Sequence, residues 1–162
     1  MVQQIEFLGH TFSSEGLSVT PAKCAALLKW PAPTNVSELR SLLGTFGFWR
    51  DFIARYADIT APLTRLTCKN VAWRWGEKQA AALARLKAAV AAAPLLRPPD
   101  TCKPFYVVTD ASDYGCGASL EQEGAQGIRH PVAFYSHQLN PAERRYPVHE
   151  RCLLYTSDAA DE

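Results

Sequence analysis

The chain is 162 residues long, with 48% hydrophobic and 20% charged residues, a balance ordinary for a globular protein of one or two small domains. Its 17 Lys+Arg against 16 Asp+Glu give a net charge of +1. Avid nucleic-acid binders are usually markedly basic, so charge supplies no reason to expect such a partner. No run of about 18 or more apolar residues occurs, so no transmembrane helix and no membrane partner is expected. The N-terminus lacks a basic patch leading into an apolar run, so no secretory signal is expected there. Cys24, Cys68, Cys102, Cys116 and Cys152 form no Cys-x-x-Cys pair. Such a scattered, odd set reads as reduced thiols in an intracellular protein, not as a zinc site or a disulfide frame.

The pattern along residues 2–19 alternates, with Ile5, Phe7, Gly9 and Phe12 followed by the turn signal Glu15-Gly16, and predicts a β-hairpin. Thr20-Pro21 then opens a helix, with Thr20 as N-cap and Pro21 at N1. Leu27, Leu28 and Trp30 supply its apolar side, and Pro31-Ala32-Pro33 stops it. Asn35-Val36-Ser37-Glu38 is a capping box with Asn at the cap. A helix follows through Leu39, Leu42, Leu43 and Phe46, and Phe48, Trp49, Phe52, Ile53 and Tyr56 prolong its apolar pattern. A short helix is expected over Ala61 to Leu66, which makes residues 34–66 a helical unit.

Val71 to Gly76 predicts a short extended element. Glu77 to Ala93 is the clearest helix, built from strong helix formers with Leu83, Leu86 and Val90 at helical spacing, and Pro94 ends it. The period then changes. Phe105 to Thr109, Gly115 to Leu120 and Val132 to Ser136 predict three strands in meander order, with a turn at Glu123 to Gly127 and a helix beginning after Pro147. The fold class is therefore mixed α+β or α/β.

Asp110 closes the first of these strands, beside Ala111 and Ser112 and just ahead of Gly115 and Gly117. A carboxylate there leaves room for Mg²⁺, which takes oxygen ligands from one or two carboxylates plus substrate phosphates. Aspartate also favours turns, and on local chemistry alone a turn Asp is the commoner reading.

The segment Phe105-Tyr106-Val107-Val108-Thr109-Asp110-Ala111-Ser112-Asp113-Tyr114-Gly115-Cys116-Gly117-Ala118 closely resembles the first two strands of the ribonuclease H domain in gypsy-type long-terminal-repeat retrotransposon Pol polyproteins. The flanks agree in order. Phe7-Leu8-Gly9-His10 looks like the family's primer grip. Trp30 to Gly44 and Ala61-Pro62-Leu63-Thr64 match its thumb pattern. Trp73-Arg74-Trp75 and Ala93-Pro94-Leu95-Leu96 match the connecting segment, and Ala133-Phe134-Tyr135-Ser136 and Tyr146-Pro147-Val148-His149-Glu150 match the third strand and first helix.

The resemblance implies a division into residues 1–70 (reverse transcriptase end, with grip-like hairpin and helical thumb), 71–104 (connecting segment), 105–154 (a truncated ribonuclease H-like domain, with three-stranded antiparallel meander and the start of a helix) and 155–162. It implies a parent enzyme that copies RNA into DNA and cleaves the RNA of RNA–DNA hybrids. Its partners would be an RNA–DNA hybrid or a template–primer duplex, in a cytoplasmic particle or the nucleus. Asp110 would be the first of four acids holding two Mg²⁺ ions about 4 Å apart.

The pattern breaks in three places. The family's second acid falls at Cys152, and Glu150 is a doubtful substitute, because helical residues two apart lie about 200° apart around the axis. Residues 155–162 match nothing in a ribonuclease H helix and resemble sequencing-adapter read-through, an ordinary acidic tail being the other reading. No Tyr-x-Asp-Asp of a polymerase palm occurs. These departures leave a second class open, a non-catalytic nucleic-acid-binding or structural remnant of a retroelement. The run Phe46, Phe48, Trp49, Phe52 and Tyr56, with Arg40, Arg50 and Arg55, has the composition of a nucleic-acid face, but its helical spacing favours aromatic core. His10 reads equally as a primer-end contact or a structural histidine. His130, His137 and His149 show no metal-ligand spacing with the cysteines.

Overall fold

The structure is a computed structural model and describes residues 4–140, 142–147 and 150. The chain opens with three antiparallel strands, β1 (Gln4–Phe7), β2 (His10–Ser13) and β3 (Gly16–Val19), one more than the predicted hairpin. Leu8 and Gly9 form the two-residue turn between β1 and β2, both at positive φ (50° and 84°). That backbone matches the twist of a tight hairpin. Glycine is also required here for space, since a Cβ on Gly9 would lie 2.9 Å from the indole of Trp49. The hairpin turn is thus pressed against the helical unit.

Helix α1 (Pro21–Leu28) begins at Pro21 with Thr20 at its N-cap, as the sequence predicts, but the Thr20 side chain makes no capping hydrogen bond. Only Leu27 of its expected apolar side is buried, while Leu28 is exposed. Helix α2 (Val36–Gly47) does have its cap: the Glu38 N–H donates to Asn35 Oδ1 at 2.9 Å. The Glu38 carboxylate reaches back to the Thr34 N–H and hydroxyl and to the Asn35 amide. These bonds, chiefly that of the Thr34 N–H, hold the Glu38 carboxyl below its ordinary pKa.

The predicted continuation of this helix fails at its end. A 3₁₀ turn at Arg50–Phe52 and an extended Ile53 separate α2 from α3 (Tyr56–Thr64). Arg55, at the entry to α3, is left-handed (φ 57°), a conformation that costs a non-glycine residue about 1–2 kcal/mol. The aromatics Phe46, Trp49 and Phe52 still reach the core, because the break redirects the chain around it. Residues 71–76 form no strand; Trp73 and Trp75 stack at 6.0 Å and pack against the core instead. Helix α4 (Glu77–Ala91) follows, its buried stripe Ala82, Leu83, Leu86 and Val90 at the expected spacing.

One continuous core joins these parts: Leu27, Leu39, Leu42, Phe46, Phe52, Ile53, Ile59, Leu63, Leu86 and Leu96 all contribute. Leu96 ties back to the first sheet through paired backbone bonds with Leu17, at 2.7 and 2.9 Å. The second sheet is the predicted meander, β4 (Tyr106–Ala111), β5 (Gly115–Glu123) and β6 (Arg129–Gln138), antiparallel in the order β4-β5-β6. The expected turn at Glu123 to Gly127 is a 3₁₀ turn over Ala125–Gly127. Of the helix expected after Pro147 only Glu150 is among the described residues; Cys152 and the tail 155–162 lie outside them.

Leu86 is fully buried where α4 meets the core. Leu86→Ala is expected to lower stability by about 2–5 kcal/mol, measured by urea denaturation. Leu28→Ala, on an exposed position, should change it by less than about 0.5 kcal/mol.

Candidate functional site

Two places gather the residues singled out in the sequence. The first is the end of β4. Asp110 is paired across the sheet with Gly117, and Gly117 with Ser136, so the three share one rung. The N-terminal end of α3 sits over this rung. The Ala57 N–H donates to Ser136 Oγ at 2.9 Å. Gly115 makes the approach possible: a Cβ there would lie 2.8 Å from the His137 carbonyl oxygen and 3.0 Å from the Ala57 Cβ.

Arg55 extends from the same end of α3 and forks between two carboxylates. Its Nε lies 2.9 Å from Asp58 Oδ2, and its Nη1 lies 3.2 Å from Asp110 Oδ2. The hydrogen bond to Asp58, with the nearby charges of Asp58 and Asp110, raises the guanidinium pKa further above its ordinary value. Asp58 is nearly enclosed, and its other oxygen accepts the Ser112 hydroxyl. Ser112 Oγ also accepts the N–H groups of Tyr114 and Gly115, which folds the β4–β5 turn around it.

Asp110 is exposed, as a metal ligand near a strand end would be, but its partner is an arginine. Mg²⁺ needs oxygen donors converging from several groups. Both oxygens of Asp58 are engaged, and among the described residues no group of three or more His, Cys, Asp or Glu converges to hold a metal. The described residues therefore do not fit a two-ion centre. Glu150 is described only as a helical backbone position with an exposed side chain.

The second place is the hairpin. Of the grip-like residues, Phe7 and Leu8 are 61% and 69% exposed, so they face solvent and not the core. Gly9 makes the turn. His10 lies inward against Trp49 (4.6 Å between ring centroids), Phe48 (5.2 Å), Phe52 (5.3 Å) and Phe12 (6.3 Å). Its Nδ1 is buried without a hydrogen-bond partner among the described residues. Burial among aromatics pushes the His10 pKa below its ordinary value, and the nearby Asp51 carboxylate opposes this in part. Phe12 and Phe48 are exposed on the same side, with Ile5 also exposed on β1. The aromatic run is thus divided: Phe46, Trp49 and Phe52 are core, and Phe48 is surface.

Of the arginines considered beside that run, Arg40 donates to the Thr67 carbonyl, Arg50 lies 3.4 Å from Asp51, and Arg55 belongs to the strand-end cluster. His137 lies 3.6 Å from Glu143, and His130 is separate, its pKa lowered by burial and by the positive charges of Arg97 and Lys103. The residues missed in the sequence are Arg55 in this role, Asp58 and Ser136. The bond that seats α3 on the sheet joins residues 79 positions apart (Ala57 to Ser136), and no local spacing announces the pairing.

The described residues thus combine a helical unit with a three-stranded antiparallel meander that carries an aspartate near the end of its first strand. The chain belongs to the family described as the RNase H-like domain found in reverse transcriptase, whose model matches residues 75–161. It is 33% identical over 151 residues to the Transposon Tf2-3 and Tf2-4 polyproteins of Schizosaccharomyces pombe, a stretch covering 93% of this chain and 11% of each polyprotein. Among solved structures it is similar to the foamy viral protease-reverse transcriptase in complex with an RNA/DNA hybrid (TM-score 0.81, 25% identity, 98% of this chain and 21% of that one). The same enzyme in complex with dsDNA gives TM-score 0.81 and 25% identity over 99% of this chain and 33% of that one. The chain is thus a reverse transcriptase/ribonuclease H-like segment of the retroelement type, spanning about a tenth of the curated relatives it matches.

Two consequences are measurable. Gly115→Ala must push either the β6 backbone or α3 aside and is expected to cost about 1–3 kcal/mol, read by thermal or urea denaturation. For His10, the folded pKa lies below the ordinary 6.5, so the unfolded chain takes up a proton before the folded one does. Its contribution is complete above that value and is lost as pH falls below it. Stability should therefore drop as pH falls through and below 6.5, and His10→Phe should shrink that drop; an equal drop in both proteins would refute the assignment.

Proposed function

We propose that this chain is the duplex-docking and scaffolding part of a retroelement Pol protein, and that its hairpin is the contact with a template–primer duplex or RNA–DNA hybrid. One observation carries the reading: Phe7, Leu8 and Phe12 of the hairpin and Phe48 beside it are all exposed, while His10, on the same sheet face as Phe7 and Phe12, packs against Trp49 and Phe48. Exposed apolar surface of this kind marks an interaction site, and aromatic rings stack on bases and sugars without sequence preference. The complexes of the foamy viral enzymes with dsDNA and with an RNA/DNA hybrid support it. In this reading residues 1–70 are the polymerase end, 71–104 connect, and 105–154 begin the ribonuclease H-like domain, with 155–162 a non-native tail.

In the parent protein Asp110 would supply one ligand to a divalent metal, Mg²⁺ by chemistry. Two features favour the second reading, a non-catalytic remnant, for the chain taken by itself. Asp110 is paired with Arg55. The position of the second acid holds Cys152, and thiolates are soft ligands suited to zinc and copper(I) instead of Mg²⁺.

Fluorescence anisotropy with a primer–template duplex decides the docking claim. Weak binding at low salt is expected, lost readily as salt is raised because phosphate contacts release counterions. Leu8→Asp should abolish it; no binding by the unaltered chain at low salt would reject the proposal. In the same samples no cleavage of an RNA–DNA hybrid is expected in Mg²⁺ or Mn²⁺. Robust cleavage abolished by Asp110→Asn would show instead that the chain completes a metal site.

A further inference from the structure

We propose that the cavity between the β2–β3 turn, segment 97–103 and the β5–β6 turn is a phosphate-binding site, held by Arg97, Lys103 and His130. It lies at the end of the second sheet away from Asp110 and uses none of the exposed apolar residues of the hairpin.

The cavity, about 430 Å³, opens where three pieces of chain meet. Paired backbone bonds between Leu17 and Leu96 bring β3 beside the connecting segment, and with it the Ser14-Glu15 turn that forms the rim. The Arg97 N–H donates to the Pro131 carbonyl at 3.1 Å. Gln122, only 1% exposed, clamps the rest of the segment. Its Oε1 accepts the Asp100 N–H and its Nε2 donates to the Asp100 carbonyl, both at 2.8 Å. Gln122 shares a rung with His130, so the imidazole stands on the same face of the sheet as this clamp. The walls are thus set before a ligand arrives, which lowers the cost of binding one.

The walls gather positive charge that is short of partners. A Cβ on Gly124 would stand 3.1 Å from His130 Nδ1 and 3.3 Å from Arg97 Nη1, so both nitrogens converge on the space that the glycine leaves open. Among the described residues, His130 Nδ1 is buried with no hydrogen-bond partner and the Arg97 guanidinium makes no salt bridge. Burial, then the charges of Arg97 and Lys103, hold the His130 pKa below its ordinary value, so both cations face the ring. Three carboxylates also line the cavity, and two are engaged. Asp100 lies 3.7 Å from Lys103 and accepts the Cys102 N–H. Glu123 accepts the Tyr106 hydroxyl at 3.2 Å and pairs across the sheet with Arg129, whose guanidinium lies 3.9 Å over the Tyr106 ring. Glu15 is exposed on the rim. A terminal phosphate brings about two negative charges and several strong acceptor oxygens. It accepts from a guanidinium fork, an ammonium and an imidazolium together. The exposed Lys103–Asp100 pair is worth little, so Lys103 is free to turn to the ligand.

The test uses the 162-residue chain at low salt, with the His130 ring resonances followed by NMR. Inorganic phosphate should shift them saturably and raise the His130 pKa, because the anion offsets the charges of Arg97 and Lys103. A short oligonucleotide without terminal phosphates, added alone, identifies the source. The same shift assigns a backbone phosphodiester; its absence, with inorganic phosphate active, assigns a free phosphate or a phosphomonoester. Arg97→Gln should weaken phosphate binding about three- to fivefold. Arg129→Gln removes the same charge from the other face of the sheet and should leave binding unchanged. Both arginines are exposed, so neither substitution threatens the fold, and titration of the unaltered chain needs no variant. The proposal is overturned if neither probe gives a saturable shift. An equal loss in the two variants also overturns it, since that marks unspecific attraction to a cationic surface. So does an equal shift with acetate, since a single carboxylate would then serve as well as a phosphate.

Discussion

The seating of α3 is the constraint on which the rest of the molecule depends. One side of this nine-residue helix puts Ile59 and Leu63 into the helical core, and its first turn puts Ala57 onto the second sheet. The two demands are compatible only because Gly115 has no side chain where Ala57 arrives. A Cβ there would hold α3 off the sheet, and Arg55 would no longer reach Asp110. The helix end is also where two polar groups, the Ala57 N–H and the Asp58 carboxylate, need partners, and the sheet provides both through Ser136 and Ser112. Packing and hydrogen bonding thus select the same placement.

The hairpin is held by a different kind of contact. Its turn uses two residues at positive φ, and only one of them is glycine. Leu8 accepts a strained backbone and stands exposed at the tip, an arrangement that stability alone does not favour. The compensation lies behind it: His10, Trp49 and Phe52 form an aromatic cluster that holds β2 against the helical unit. A neutral imidazole fits there and an imidazolium does not, which is why burial lowers its proton affinity. Tyr56, on the opposite side of the break after α2, shows the same environment from the acid side. Burial pushes its phenol up to about 12, and the hydroxyl donates to the Leu43 carbonyl.

Much of this was legible in the sequence, for local reasons. The Asn35–Glu38 cap, the α4 stripe and the three strands of the second sheet each rest on spacing within one element, and each is present. The first sheet gained a strand because the Leu8-Gly9 turn is weak turn chemistry, readable only once Trp49 is seen to require glycine there. The apolar pattern from Phe46 to Tyr56 suggested a longer helix, since periodicity cannot register a break whose flanks both turn inward. At the site, Asp110 was visible from its strand-end position, and its environment was not. Arg55 lies 55 positions away in number and reaches it only through the fold. An arginine beside aromatics reads equally well as a phosphate contact.

That ambiguity bears on charge. A net charge of +1 gives no long-range attraction for a polyanion, and several arginines that might have provided a local one are committed elsewhere. Arg55 is held by Asp58 and Asp110, Arg50 lies beside Asp51, and Arg40 caps the Thr67 carbonyl. Exposed on the hairpin side are the apolar Phe7, Leu8, Phe12 and Phe48, together with Gln4, Glu6 and, beside the Gly9 turn, Lys23. A surface of that composition offers apolar contact and stacking. The arginines left in exposed pairs form a reserve of another kind. An exposed ion pair is worth little in water, so the Arg50–Asp51 and Arg55–Asp110 contacts can rearrange at small cost.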